Sequence, residues 1–176
     1  MAVLSREEAI DALKRLGELA VAKGEDVELL LFGGGVMVLD FQVRPSTRDL
    51  DVAVLSPRDV ELVRGLARVV AAERGWPDDW LNDAAKGYLV RFSSEAVVFS
   101  SPGIVVRRPA IEQLLAMKLC AWRDDVDISD ARHLLGGLPG IRDSVWQKVQ
   151  PYLVPGDELK ARYAFDDLWE ELHGQS

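Results

Sequence analysis

Apolar residues recur at helical spacing through the first part of the chain and then give way to a short apolar run. Residues 5–23 open with Ser5 and Glu8, the reciprocal capping pair of a helix start, and continue with apolar residues every three or four positions. Residues 27–32 are mostly apolar and run into three glycines, which is typical of a buried strand. The pattern therefore predicts a helix followed by a strand that ends at Gly33–Gly35.

The next pattern is a glycine turn, a short helix over residues 36–41 and a polar loop. Residues 49–55 alternate acidic and apolar before becoming wholly apolar, which predicts a strand with one functional face. Ser56 and Pro57 then suit the cap and first turn of a helix that runs to about Arg74. Gly75 and Pro77 are expected to end that helix, and residues 78–87 are interpreted as a loop or a short helix.

The back half changes character after two or three short strands predicted within residues 88–107. Helical patterns begin beyond Pro109 and cover residues 111–123, 130–135, 142–152 and 158–172. The sequence thus predicts an α/β (α+β) class, with a small mixed sheet flanked by helices and a helical C-terminal part. We expect a core over residues 1–108 and a helical part over residues 109–176 that packs on it.

The composition of the chain argues against one class of function. The 176 residues carry a net charge of −8, with a pI near 4.8, which argues against a general nucleic-acid coating protein because such proteins need a wide basic face. A local basic surface remains open, for example from Arg44, Arg48, Lys86, Arg107 and Arg123.

The chain's one cysteine and its apolar runs bear on the compartment. Cys120 lies in an apolar helical run, where a buried thiol is favoured over a reactive one, and a lone cysteine fits a reducing compartment. No apolar run approaches the roughly 20 residues of a membrane helix. We therefore expect a cytoplasmic protein without a membrane partner.

Asp49 and Asp51 are the strongest candidates for chemistry. Side chains two apart on a strand share one face, so these carboxylates can converge on one site. Their mutual repulsion favours a cation between them, and Mg²⁺ (or Mn²⁺) suits one or two carboxylates completed by water and phosphate oxygens. The turn at Gly34 and Gly35 complements this pair because its backbone N–H groups can approach a phosphate.

A resemblance to a known family follows from these residues. The segments Leu30–Gly35 and Arg44–Val52 resemble the nucleotidyltransferase superfamily signature of a hydrophobic strand, a Gly-Gly pair, a spacer and acid-apolar-acid-apolar. The pattern Arg-x-x-Thr-x-Asp-x-Asp looks like the AbiEii and MenT-type toxin nucleotidyltransferases and their uncharacterised relatives. Residues 80–87 and 114–130 also resemble segments of those proteins, so the resemblance spans residues 28 to 135.

The resemblance implies a role for each matching residue. Asp49 and Asp51 would hold the metal and position a nucleoside triphosphate, and Lys118 would neutralise its phosphates. Thr47 falls where the relatives carry a functional hydroxyl, and Asp127 and Asp130 fall where they carry a further acid. The implied catalytic residues are Asp49, Asp51, Lys118, Asp127 and Asp130, and the implied nucleotide-binding residues are Gly34, Gly35, Thr47, Arg48 and Lys118.

One departure from the family keeps alternatives open. Many members place a third carboxylate on a later strand, whereas Glu95 is the one acid within residues 88–107. Either Asp127 or Asp130 supplies that group or turnover is weakened. The expected function is transfer of a nucleotide to a hydroxyl of tRNA or protein, as the toxin of a toxin–antitoxin pair with a partner antitoxin. The alternatives are a non-catalytic nucleotide-binding module, a small-molecule nucleotidyltransferase and an ordinary structural domain.

Overall fold

The computed structural model describes residues 3–83 and 89–174. They divide into two compact units, one containing residues 3–83 and 94–109 and the other residues 89–93 and 110–174. The first is a mixed α/β unit and the second is helical. The predicted mixed α/β class, with helices in the C-terminal part, is therefore confirmed.

Helix α1 (Arg6–Ala22) opens the first unit as its sequence predicts. The Glu8 amide donates to Ser5 Oγ at 3.2 Å and the Ser5 amide donates to the Glu8 carboxylate at 2.9 Å, which completes the capping box. The short strand β1 (Leu4–Ser5) precedes it and pairs antiparallel with β3 (Ser46–Thr47). This small ladder fixes the loop that carries Thr47.

The main sheet surrounds the apolar run predicted to be a strand. The strands of this sheet are β2 (Val27–Phe32), β4 (Leu50–Ser56), β5 (Leu81–Asn82), β6 (Ala96–Ser101) and β7 (Ile104–Arg108). In the part of the chain that the structure describes, their order is β5-β4-β2-β7-β6. Strand β2 pairs antiparallel with β4 and parallel with β7, and its Leu29, Leu30 and Leu31 are fully buried.

Two predicted helix starts in the first unit are wrong. Helix α2 (Gly33–Leu39) begins at the first glycine rather than after the turn, because Phe32 is still extended and the glycines form the first helical turn. Ser56 is the last residue of β4, so Ser56 and Pro57 do not start the next helix. Asp59 caps α3 (Val60–Arg74) instead, accepting a hydrogen bond from the Leu62 amide at 3.3 Å.

The segment after α3 returns the chain to the sheet. Gly75 ends α3 in the left-handed region, and a 3₁₀ turn over Asp78–Trp80 leads into β5. The Trp80 side chain is 1% exposed and its indole N–H donates to the Ala67 carbonyl of α3 at 2.9 Å. Strand β5 is therefore anchored to α3 one residue before it begins. Lys86, a candidate basic residue, lies outside the described residues.

The second unit consists of α4 (Ile111–Ala121), α5 (Asp125–Gly136), α6 (Arg142–Val149) and α7 (Glu158–His173). Phe165 of α7 packs between two buried tryptophans, tilted against Trp146 with ring centroids 5.1 Å apart and stacked on Trp169 with centroids 5.8 Å apart. Cys120 is buried as predicted, and burial raises the pKa of its thiol. Among the described helices, none has the length and apolar character needed to cross a membrane.

Candidate functional site

Asp51 lies at the sheet edge where β2 ends. It is the second residue of β4, opposite Phe32 of β2 and in parallel register with Asn82 of β5. The Asn82 side-chain amide donates to Asp51 Oδ1 at 3.3 Å. The other oxygen, Oδ2, faces Gly33, where a Cβ would lie 3.1 Å from it. One oxygen of this half-buried carboxylate thus accepts a hydrogen bond from Asn82, and the other lies beside Gly33.

The glycine corner is built without room for side chains. Gly33 has a φ of +59°, in the left-handed region that favours glycine. A Cβ on Gly34 would lie 2.8 Å from Arg44 Nη1 and 2.8 Å from Thr47 Oγ1. A methyl group at Gly34 would therefore require the Arg44 guanidinium and the Thr47 hydroxyl to move.

Gly35 differs from its two neighbours because it faces the apolar core. A Cβ there would lie 2.9 Å from a methyl carbon of Leu31 and 3.0 Å from one of Leu50. Its small size lets α2 pack closely on the strands that carry the site. Arg48, a further predicted nucleotide-binding residue, is exposed in the loop before β4.

Asp49 immediately precedes β4 rather than lying within it. Thr47, which is 8% exposed, donates its hydroxyl to the Asp49 carbonyl oxygen at 3.1 Å, so it fixes the backbone of the first acid. Burial raises the pKa of the Asp49 carboxyl, the negative charge of Asp79 raises it further, and Arg48 opposes both. The Asp49 carboxylate therefore lies in surroundings that disfavour its charge.

A pocket of about 230 Å³ adjoins the same edge of the sheet. Asn82 belongs both to this pocket and to the Asp51 hydrogen bond. Arg64 on the facing helix is held by Asp83 through two bonds of 3.2 and 2.7 Å. The lining residues are Arg64, Ala67, Arg68, Asp78, Asp79, Leu81, Asn82 and Asp83. Charged side chains predominate among these lining residues, and the pocket shares Asn82 with the carboxylate site.

Lys118, Asp127 and Asp130 meet in the second unit, between α4 and α5. The Lys118 Nζ lies 2.9 Å from Asp127 Oδ1 and 2.8 Å from Asp130 Oδ2. The side chains of both acids are 3% exposed and that of Lys118 is 12% exposed. Because α5 places residues three apart on one face, a single ammonium can bridge both carboxylates.

The sequence around α5 explains this arrangement. Trp122 adopts φ +37° at the end of α4, and Asp124 caps α5 by accepting from the amides of Val126 and Asp127. The predicted helix over residues 130–135 therefore begins earlier, at Asp125. Burial alone would raise the pKa of Asp127, but hydrogen bonds from Arg123 and Lys118 outweigh it and lower that pKa to about 2.

The predicted site residues thus form two groups. In the first unit Gly34 lies against Thr47, Thr47 holds the Asp49 backbone, and Asp51 lies beside Gly33, whereas the side chains of Lys118, Asp127 and Asp130 meet in the second unit. Arg44 and Asn82 were not predicted as site residues, although both touch the corner. Glu95 is exposed before β6 and donates its backbone amide to the Arg108 carbonyl. The catalytic and binding roles themselves remain predictions.

The donor chemistry at the corner fits a magnesium ion. Among the described residues, no group of three or more His, Cys, Asp or Glu side chains could hold a metal ion. Mg²⁺ is commonly bound by one or two carboxylates together with water and substrate phosphates, which Asp49 and Asp51 can supply. Comparison with protein-family models and with curated proteins found no match to the chain.

Proposed function

We propose that the chain is a magnesium-dependent nucleotidyltransferase that transfers a nucleotide from a nucleoside triphosphate to an acceptor hydroxyl. The placement of Asp51 carries the proposal, because Asn82 holds one oxygen and the other faces the glycine corner. Asp49 supports it, since its surroundings disfavour an uncompensated charge. The nucleotidyltransferase-like motif that includes Thr47, Asp49 and Asp51 supports the same reaction.

The residues of the corner have separate tasks in this reaction. Asp49 and Asp51 would hold Mg²⁺, which when bound neutralises the triphosphate and aligns the attacking and leaving oxygens. Thr47 holds the Asp49 backbone, and Asn82 orients the Asp51 carboxylate. The acceptor oxygen forms a bond to the α-phosphorus, the bond to the β-phosphate oxygen breaks, and pyrophosphate leaves while the acceptor releases its proton.

Transfer of label from α-³²P nucleotides tests the activity. Each of ATP, CTP, GTP and UTP would be incubated with Mg²⁺ or Mn²⁺ and with total tRNA or lysate protein. Asp51→Asn is expected to reduce labelling by more than about 10- to 100-fold, the loss typical of disturbing even an outer partner of a metal site. Asp26→Asn is the matched control, because this exposed acid lies beyond the opposite end of β2. Absence of label under every combination would reject the enzyme.

A small-molecule acceptor is the second candidate, and the pocket that adjoins the sheet edge favours it. The pocket shares Asn82 with the carboxylate site and has room for a sugar-sized group. The net charge of −8 also weakens the case for a large nucleic acid. Labelling of the small-molecule fraction of a lysate, with tRNA and protein unlabelled, would favour this acceptor. Binding of a nucleotide that requires Mg²⁺ and Asp51 without any transfer would instead indicate the non-catalytic module.

The toxin assignment has its own test. Expression of the wild-type chain is expected to arrest growth, and Asp51→Asn is expected to relieve the arrest at equal protein level. Relief by co-expression of a neighbouring gene would identify the antitoxin. Growth unaffected by the wild-type chain at that level would remove the toxin role and leave the transferase to be judged by labelling.

A further inference from the structure

We infer that Arg44, rather than Lys118, neutralises the phosphates of the bound nucleotide. The inference rests on the proposed function and names the side chain that meets the triphosphate. It differs from the role that the sequence resemblance gives to Lys118. The structure places Arg44 at the glycine corner and Lys118 in the ion cluster of the second unit.

The first observation is the position of Arg44 at the corner. Its Nη1 lies where a Cβ of Gly34 would come within 2.8 Å, and its guanidinium carbon lies within 3.4 Å of the same point. The guanidinium therefore lies directly beside the Gly34 backbone. The side chain is partly buried, and the β1–β3 ladder begins two residues later, so the loop that carries Arg44 is fixed.

The second observation is the state of Lys118. Its ammonium contacts two carboxylates at 2.9 and 2.8 Å, and its side chain is 12% exposed. Recruiting this cation to a phosphate would leave Asp127 and Asp130 buried beside each other without their shared partner, which is strongly unfavourable. The charge of Lys118 is therefore committed to the ion cluster of the second unit.

The third argument is the chemistry that the corner requires. A triphosphate brings several negative charges beside Asp49 and Asp51, so a cation on the glycine side is needed in addition to metal. A guanidinium is always charged at neutral pH and presents paired N–H donors that match two phosphate oxygens. Arg44 meets both needs, since its guanidinium is already at Gly34.

Calorimetric titration of the full chain tests the inference. The probes are inorganic tripolyphosphate and each of the four nucleoside triphosphates, all with Mg²⁺, and the variants are Arg44→Gln, Arg44→Lys and Arg58→Gln. Arg58 is an exposed arginine beyond the opposite end of β4, so Arg58→Gln matches the change in charge away from the corner. Melting temperatures of all variants report that they remain folded.

Arg44→Gln is expected to weaken binding of tripolyphosphate and of nucleotide alike by about 10- to 100-fold, the loss typical of removing a charged hydrogen bond. Arg44→Lys should recover part of that loss, because the charge returns without the paired donors. Arg58→Gln should bind as the wild type does. An equal loss for the phosphate alone and for the nucleotide supports a contact to phosphate rather than to the base.

Two results would overturn the inference while leaving the proposed function standing. In the first, the wild type binds nucleotide and Asp51→Asn does not, but Arg44→Gln binds as tightly as Arg58→Gln. In the second, Lys118→Met stays folded and loses tripolyphosphate binding while Arg44→Gln keeps it. A wild-type chain that binds no nucleotide with Mg²⁺ would overturn the proposed function as well as this inference.

Discussion

The surroundings of Asp49 and Asp127, which belong to two different groups of aspartates, shift the pKa of the carboxyl in opposite directions. Asp49, at the corner of the first unit, has a pKa raised by burial and by Asp79. Asp127, in the second unit, has a pKa lowered to about 2 because bonds from Arg123 and Lys118 outweigh its burial. The difference teaches that acids in a functional-looking motif need not share a role. The ion-paired carboxylates of Asp127 and Asp130 join α4 to α5, whereas the Asp49 carboxylate, whose charge is disfavoured, is the better candidate to bind a cationic ligand.

Removing the shared cation of the second cluster should have the largest effect. Lys118→Met leaves Asp127 and Asp130 buried together, so it is expected to lower the free energy of unfolding by about 3–5 kcal/mol. Urea denaturation followed by circular dichroism measures this loss. Lys148→Met, at an exposed position on α6, is the control and should change stability by less than about 0.5 kcal/mol. A Lys118→Met protein as stable as the control would break the comparison.

Acid should weaken the second cluster next. The pKa of Asp127 is lower in the folded state than in the unfolded chain, so its contribution is present above the unfolded value, near 3.8, and is lost as the pH falls towards 2. The contribution amounts to about 2 kcal/mol. The unfolding free energy of the wild type should therefore fall more steeply than that of Asp127→Asn between pH 5 and pH 2. Parallel pH profiles would show that Asp127 is not compensated.

Adding a single methyl group at the glycine corner should destabilise the fold by less than either change in the second cluster. Gly33→Ala places a side chain at φ +59° and 3.1 Å from an Asp51 oxygen, which should destabilise the fold by about 1–2 kcal/mol and impair nucleotide binding. Gly65→Ala is the matched control, since nothing lies within 4 Å of its added Cβ in α3. That change should stabilise the fold by up to about 1 kcal/mol. Equal effects of the two substitutions would show that the corner is not closely packed.

Neutralising Asp49 should change stability least, and it should stabilise the fold where Lys118→Met and Gly33→Ala destabilise it. Its raised pKa means that the charged form is disfavoured in the fold, so Asp49→Asn should raise the melting temperature at pH 7 by a few degrees at most. The advantage should shrink as the pH falls and the wild-type carboxyl takes up a proton. Differential scanning calorimetry at pH 7 and pH 4.5 tests both statements, with Asp26→Asn as the control. A lower melting temperature for Asp49→Asn would show that its charge is already compensated.

Local signals in the sequence predicted much of the fold. The Ser5–Glu8 box and the apolar run of β2 depend on neighbours within a few residues, and both are observed as predicted. The start of α3 was missed because Ser56 is paired in the sheet to Glu28, a contact between distant residues that overrides its capping preference. The glycines likewise join α2 rather than a separate turn.

The candidate site was also predictable only where its residues carry a local pattern. Asp49 and Asp51 were visible through strand periodicity, and Gly34 through its place after a strand. Asn82 reaches Asp51 only through the parallel pairing of β5 with β4, which no local pattern encodes. Arg44 was visible as part of the motif and as a basic residue, but its contact with Gly34 depends on how the loop folds back. The ion pairs of Lys118 required the turn between α4 and α5.

The anchoring of Trp80 gives the corner a dependence that its own residues do not reveal. The buried indole ties the chain to Ala67 just before the two-residue strand that carries Asn82, and Asn82 in turn orients Asp51. Two hydrogen bonds, from Trp80 to Ala67 and from Asn82 to Asp51, therefore connect the interior of the first unit to the carboxylate. A smaller side chain at position 80 would therefore loosen the strand that carries Asn82 and, through it, the Asp51 carboxylate, while leaving the acidic motif unchanged.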